Sequence, residues 1–312
     1  SQLNVQVAIN FGITCPYSSN WPNCSISSDL FNHQTQSLSI ISQIGQFSLL
    51  PIITPENRAG FEAYATNFLE NDKGYSKNFK HLGIYNFHSN GTPYHTPLHS
   101  NSTKYDIAVP AFQITGSTDA PRPLLFNLYS MSAISGYFNS IIDCVNHTKY
   151  EDNPNIKNLA DYTQTKCTAL TDITRTLSVR GSLIISPIFP FNEANQTQPV
   201  GFSATLFFWQ SLLASTVRFD SSFECMIQSS TGNRLYFKVN HGEVKEIAET
   251  QVNTPEHPDG NDGTDFNHNI KKTFILNNNQ GFPVQTQFSI TYYSTISPPT
   301  HQIAILSFAL CL

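Results

Sequence analysis

His95 and His99 stand four residues apart in YHTPLHS, the spacing at which two imidazoles meet on one face of a helix. Pro97 lies between them and forbids that helix, so the pair reads as surface loop rather than as a metal site. The run DGNDGTD offers oxygen ligands from Asp259, Asn261, Asp262 and Asp265. It lacks the bidentate Glu of a calcium loop, and its glycines favour a solvated turn. No nucleophile elbow, phosphate-binding glycine loop, dinucleotide fingerprint or HExxH occurs. Acidic residues are scattered, so no carboxylate pair can be assigned to acid–base work. The expectation is a non-catalytic protein with no metal and no cofactor.

The cysteines and sequons carry covalent chemistry of another kind. Six cysteines, an even number, suit an oxidising compartment. Cys15 and Cys24 flank a Pro/Ser/Asn loop, and Cys144 and Cys167 bracket the polar excursion HTKYEDNPNIKNLADYTQT, so each pair could close locally. Cys225 and Cys311 remain, each in an expected strand; they are either a long-range bridge or free thiols acting as small hydrophobes. Sequons at Asn23, Asn90, Asn101, Asn146 and Asn195 are candidate glycosylation sites. A chain this rich in Asn, Ser and Thr would hold about as many by chance. Their placement beside turns and between apolar segments is what makes a glycan tolerable. The expected location is extracellular, either secreted or as the ectodomain of a plasma-membrane protein.

Charge narrows the partners. Charged residues make up 12% of the chain, about half the ~25% of an ordinary soluble domain, while Phe (23) and Tyr (13) are plentiful. A net charge of −5, with no basic run longer than Lys271-Lys272, gives no footprint for nucleic acid or for an anionic membrane surface. A small-molecule ligand, or self-association into a homo-oligomer, is left as the expected partner. The end of the chain turns apolar in QIAILSFALCL, which reads either as the start of a membrane helix or as a terminal strand.

The elements that would position a site follow from periodicity. From Ser28, the residues Leu30, Phe31, Leu38, Ile41, Ile44 and Phe47 recur at three, four and seven, which predicts a long helix over 28–48. TPENRAGFEAYATNF predicts a second, with Thr54 as cap and Pro55 at the first helical position. A strand is expected within LGIYNF, and further strands at 105–113 and 124–129. Ile134, Phe138, Ile141 and Val145 make one face of a helix over SMSAISGYFNSIIDCV, and ALTDITRTLSV suggests another helix. VRGSLIISPIFPF and GFSATLFF read as two apolar strands around the Asn195 loop, the second running into a helix. Beyond Asp220 the period becomes two. Phe223, Cys225 and Ile227 pair across SSTGN with Leu235, Phe237 and Val239, and TFIL pairs with VQTQFSITYY, where Val284, Phe288 and Ile290 face inward. The fold class is α+β with antiparallel sheets flanked by helices.

That order of elements resembles the CHASE domain, the extracellular sensory module of receptor histidine kinases and nucleotide cyclases. The resemblance is carried by TPENRAGFEAYATNFL, YDIAVPAF, LLFNLYSMSAISGYFNSIIDC, and GSLIISPIFPF with QPVGFSATLFF. It implies an N-terminal segment and stalk helix over 1–50, a membrane-distal PAS-like domain over 51–220, a smaller membrane-proximal one over 221–300, and an apolar end over 301–312. It also implies a ligand-sensing role. Thr103 and Ile185 replace the Asp and Thr expected in the cytokinin-binding branch, so cytokinin recognition is not implied. Tyr105, Tyr129, Ile185, Ser186, Phe189 and Phe202 are either core or the wall of a mostly apolar pocket beside the hairpin, with the two tyrosines and Ser186 giving polar contacts. The alternative is a secreted structural glycoprotein whose chain ends add to a neighbour's sheet, forming a coat or filament.

Overall fold

The computed structural model describes residues 12–27, 29–33, 44–76, 82–97, 104–115, 123–148, 166–176, 179–190, 198–217, 223–248, 273–276, 286 and 288–293. The chain divides into two compact units, Ser1–Thr171 with Leu183–Leu206, and Asp172–Ser182 with Phe207–Leu312. The class is α+β, and every strand pairing whose direction is resolved is antiparallel.

In chain order the elements are β1 (Ile44–Pro51), α1 (Arg58–Asn71), β2 (Tyr85–Phe87), β3 (Pro93–His95), β4 (Gln113–Ile114) and α2 (Ser132–Thr148). There follow β5 (Ala169–Leu170), β6 (Thr174–Thr176), β7 (Val179–Ile188), β8 (Gly201–Phe208) and α3 (Trp209–Thr216). β9 (Phe223–Ser229), β10 (Arg234–Asn240), β11 (Glu243–Ile247), β12 (Thr273–Leu276) and β13 (Phe288–Tyr293) complete the chain.

In the first unit the strand order is β4-β1-β8-β7-β5. The expected hairpin therefore supplies two of the inner strands, and all of β8 from Gly201 to Phe207 is buried, as a strand covered on both faces must be. Gly201 is required by close approach: a Cβ there would come 2.9 Å from the Leu50 carbonyl oxygen of β1. α2 lays Phe138 on Phe202, with ring centroids 4.9 Å apart, and also buries Ile134, Ile141 and Val145 as the periodicity predicts. α1 packs Phe61 and Phe68 against Phe112 at 5.3 and 5.6 Å. Gln113, fully buried, fastens the N-terminal segment: its Oε1 accepts from the Ile26 N–H at 3.0 Å and its Nε2 donates to the Ile26 carbonyl.

The second unit is a sheet of order β11-β10-β9-β13-β12. Leu235 lies opposite Ile227 and Phe237 opposite Cys225, and Phe288 and Ile290 are buried, so the period-two reading holds here. β11 went unpredicted. Trp209 at the start of α3 packs on Phe288 at 4.8 Å and donates its Nε1–H to Ser182 Oγ at 3.1 Å.

Several expectations are overturned. No long helix spans 28–48; residues 29–33 make a short helical segment and Ile44–Pro51 is strand. Phe47 and Leu49 are buried while Gln46 and Ser48 are half-buried, a period of two that the spacing of Ile41, Ile44 and Phe47 disguised. α1 starts at Arg58, not after Thr54, because the Thr54 N–H donates to Asn57 Oδ1 at 2.9 Å and closes a turn first. Residues 105–112 are joined to their neighbours by isolated bridges, Ile53 with Ala108 and Pro110 with Asn127, and not by a continuous strand. The strand expected at 124–129 is a turn running into a 3-10 turn at Leu128–Ser130, where Asn127 Oδ1 takes the Tyr129 N–H. The helix expected over 169–179 gives way to β5, β6 and the start of β7, in keeping with the β-branched Thr171, Ile173, Thr174 and Thr176.

Two disulfides form, Cys15–Cys24 and Cys144–Cys167, which is consistent with an oxidising, extracellular or secreted setting. The third bridge does not: Cys225 is a free thiol, shut into the core strand β9. Burial first, and Glu224 second, push that thiol up to about 12. Cys311, Val284, the DGNDGTD run and the apolar end lie outside the described residues. No helix among the described residues is long and apolar enough to cross a membrane.

Candidate functional site

A cleft of about 420 Å3 opens in the first unit. Four stretches build it. The bend before α1 contributes Thr54, Pro55 and Arg58; the β2–β3 hairpin and its exit contribute Asn86, Tyr94 and Thr96. The extended segment Asp106–Ala108 and the 3-10 turn with the first turn of α2, chiefly Asn127, Tyr129 and Ser132, close the rest.

Local hydrogen bonds hold each wall. Asn127 Oδ1 accepts from the N–H groups of Val109 (2.9 Å) and Tyr129 (3.3 Å), joining the extended segment to the 3-10 turn. Arg58 is almost wholly buried and ties α1 to the β3 exit. Its Nε–H donates to Glu62 Oε1 at 3.0 Å, its Nη1 donates to the Pro97 carbonyl at 2.9 Å, and its Nη2 meets the ring of His95 at 3.2 Å. Glu62 Oε1 also accepts from the Ile84 N–H at 3.0 Å, so the carboxylate that balances Arg58 positions the strand that carries Asn86.

Two side chains of the cleft wall carry buried, unmatched polar atoms. Asn86 is 7% exposed and Thr96 is 5% exposed, and among the described residues neither Asn86 Oδ1 nor Thr96 Oγ1 has a hydrogen-bond partner. Asn86 spends only its Nδ2, which donates to the Tyr94 hydroxyl at 3.4 Å. Leaving a buried polar atom unmatched costs about 1–3 kcal/mol, so the cleft wall is held at some cost to stability.

Tyr129 connects the cleft to α2. Its hydroxyl donates to Asn139 Oδ1 and accepts from the Tyr105 N–H at 3.2 Å, while the Tyr105 hydroxyl donates to Asp143 Oδ1 at 2.7 Å. Lys104 caps the same carboxylate at 2.6 Å. Burial pushes both tyrosine hydroxyls above their ordinary range. For Asp143 burial works upward too, but the bonds from Lys104 and Tyr105 outweigh it and hold the carboxyl below its usual value.

Of the residues singled out from sequence, the structure brings Tyr105 and Tyr129 together here, and Tyr129 lines the cleft. Ile185, Phe189 and Phe202 are buried in the hairpin layer, and Ser186 Oγ is bonded to Thr168 Oγ1 at 2.7 Å. None of these four is among the described lining residues of the cleft. Arg58, Asn86 and Thr96 escaped the sequence reading, since nothing in the local pattern marks a polar atom that tertiary packing will leave unmatched. Among the candidate glycan acceptors Asn23 and Asn90 are exposed, and Asn90 Oδ1 accepts from the Thr92 N–H and hydroxyl at a hairpin tip. Asn146 is half-buried and accepts from Gln198 Nε2 at 3.3 Å; Asn101 and Asn195 lie outside the described residues. His95 is exposed and engaged with Arg58 and Glu62, and His99 is not described. No group of three or more metal-ligating side chains occurs among the described residues.

No model of a known protein family matches the chain, and no curated protein matches it.

Proposed function

We propose that this chain is the non-catalytic, ligand-sensing ectodomain of a membrane receptor, of the CHASE-like kind, and that its ligand sits in the cleft beside Asn86 and Thr96. The observation that carries the reading is one cleft whose wall gathers polar side chains from four separate stretches, among them Arg58, Asn86, Tyr94, Thr96, Asn127 and Tyr129. A volume of about 420 Å3 falls in the ~300–1,000 Å3 range of small-molecule sites. In this reading the sheet containing β7 and β8 is the membrane-distal PAS-like layer and the sheet β9–β13 the membrane-proximal one. Two segments that carry the CHASE resemblance, YDIAVPAF and LLFNLYSMSAISGYF, also supply cleft walls through Ala108, Asn127, Tyr129 and Ser132. The route outward is α2: a ligand touching Tyr129 acts on the Tyr129–Asn139 and Tyr105–Asp143 bonds, both of which end on that helix.

The test is native mass spectrometry of the whole secreted chain after incubation with a small-molecule extract of its source cells. Wild-type protein should carry an adduct that Ser135→Trp, which sets an indole in the cleft wall at the first turn of α2, does not. An adduct pattern identical in the two proteins, or none in either, refutes the reading.

A further inference from the structure

The tip of the β2–β3 hairpin is built as a modification site. We propose that Asn90 bears an N-linked glycan and that the first sugar packs on the ring of Phe87. Asn90-Gly91-Thr92 is a sequon, and every residue from Phe87 to Pro93 is exposed. Asn90 Oδ1 accepts from the Thr92 N–H at 3.0 Å and from the Thr92 hydroxyl at 2.7 Å. Both bonds fall on the oxygen, so neither uses the amide nitrogen Nδ2, the atom to be modified. Gly91, at φ +81°, completes the turn, and a Cβ built there would meet nothing within 4 Å, so there is room beside the acceptor. Transfer from a polyprenyl-pyrophosphate-linked oligosaccharide forms the bond from Nδ2 to the sugar C1 and breaks the C1–O bond. The polyprenyl pyrophosphate leaves with that electron pair, and one amide proton is released. The other described sequons are arranged differently. At Asn23 the sequon hydroxyl, Ser25 Oγ, is bonded to the Tyr64 hydroxyl at 2.5 Å. Asn146 and Thr148 both lie in α2, where residues two apart do not face each other, and Asn146 Oδ1 accepts from Gln198 Nε2 at 3.3 Å.

Phe87 supplies the platform. It stands three residues before Asn90, pairs with Pro93 across the hairpin and is 45% exposed. Its ring centroid lies 5.4 Å from that of Tyr85 and 5.2 Å from that of Phe126, so the platform is braced from within the fold. The face of an aromatic ring is electron-rich, and the C–H groups of a sugar ring are apolar and slightly positive, so the two attract when stacked. Successive residues of a strand face opposite sides: Asn86 is buried at the cleft wall and Phe87 is exposed. A sugar on Phe87 therefore leaves the cleft open, and the proposal stands apart from what the cleft binds.

Two measurements on the whole chain, secreted from eukaryotic cells, test this. In the first, a peptide-N-glycosidase releases the glycans in heavy-oxygen water and the peptides are mapped by mass spectrometry. Residue 90 should return as labelled aspartate, at higher occupancy than residue 146. An unlabelled position 90, or labelling at 146 that equals or exceeds it, overturns the site. In the second, thermal melts follow the same release under native conditions, which leaves at position 90 a carboxylate still able to accept the Thr92 bonds. Release should lower Tm by roughly 1–6 °C in the wild type, the size of one aromatic contact, and by clearly less in Phe87→Ala. Comparing the two drops cancels the Tyr85 and Phe126 contacts that the variant also loses, and any glycans elsewhere. Equal drops in the two proteins, or none in the wild type, overturn the packing on Phe87. Phe87→Leu, which keeps apolar bulk without the aromatic face, makes the same comparison if Phe87→Ala is not secreted.

Discussion

Replacing Thr96 by Val keeps the shape of the side chain and exchanges the buried, unmatched Oγ1 for a methyl group. Thr96 is only 5% exposed and its backbone N–H donates to the Ile84 carbonyl at 2.9 Å, so the β3 exit stays in place. An unmatched buried hydroxyl costs about 1–3 kcal/mol, and that cost vanishes in the variant. For a cooperative unit of this size 1 kcal/mol moves Tm by about 2–4 °C, so Thr96→Val should melt roughly 2–12 °C higher without ligand. Thr96→Ser makes the contrast: it keeps the hydroxyl, drops one methyl, and should lose about 0.8 kcal/mol. The assay is calorimetry or urea unfolding of the whole chain, following the transition that belongs to the first unit. A Thr96→Val protein no more stable than wild type, or less so, would mean that the hydroxyl already has a partner. The premise that packing leaves this hydroxyl unmatched, at a cost to stability, would then fail.

Four other outcomes follow from the geometry. Gly201→Ala should lose about 1–3 kcal/mol in urea melts, because its Cβ would press on the Leu50 carbonyl at 2.9 Å, where neither backbone can yield. Asp143, held below its ordinary 3.8, contributes stability that is present above that pH and fades as pH falls through the depressed value; Asp143→Asn should flatten the stability profile only at the acidic end. Cys225, pushed up to about 12 and buried, should resist iodoacetamide at pH 8 in the native protein and react on unfolding, as read by mass spectrometry of its peptide. Removing the Cys144–Cys167 bridge, which spans a sequence separation of 23, should cost about 3 kcal/mol by loop entropy, measured as a lower unfolding midpoint in the double Ala variant.

The residues alone determined the parts of this molecule whose physics is local or periodic. Ile134, Phe138, Ile141 and Val145 predicted α2, alternation predicted the pairing of β9 with β10, and the unbroken apolar runs predicted that β7 and β8 would be inner strands. The two disulfides were also legible, since each joins cysteines close in sequence around a polar loop. Tertiary structure decided the rest. Ile44–Pro51 is a strand because β4 and β8 offer it partners on either side, a pairing that no window of the sequence contains. The cleft was invisible for the same reason. Thr54, Asn86, Ala108, Asn127 and Ser132 come from four separate stretches, and packing buries Asn86 Oδ1 and Thr96 Oγ1 without giving either a partner among the described residues. A side chain's periodicity is written in its neighbours along the chain; whether its polar atom finds a partner depends on which distant segments fold against it.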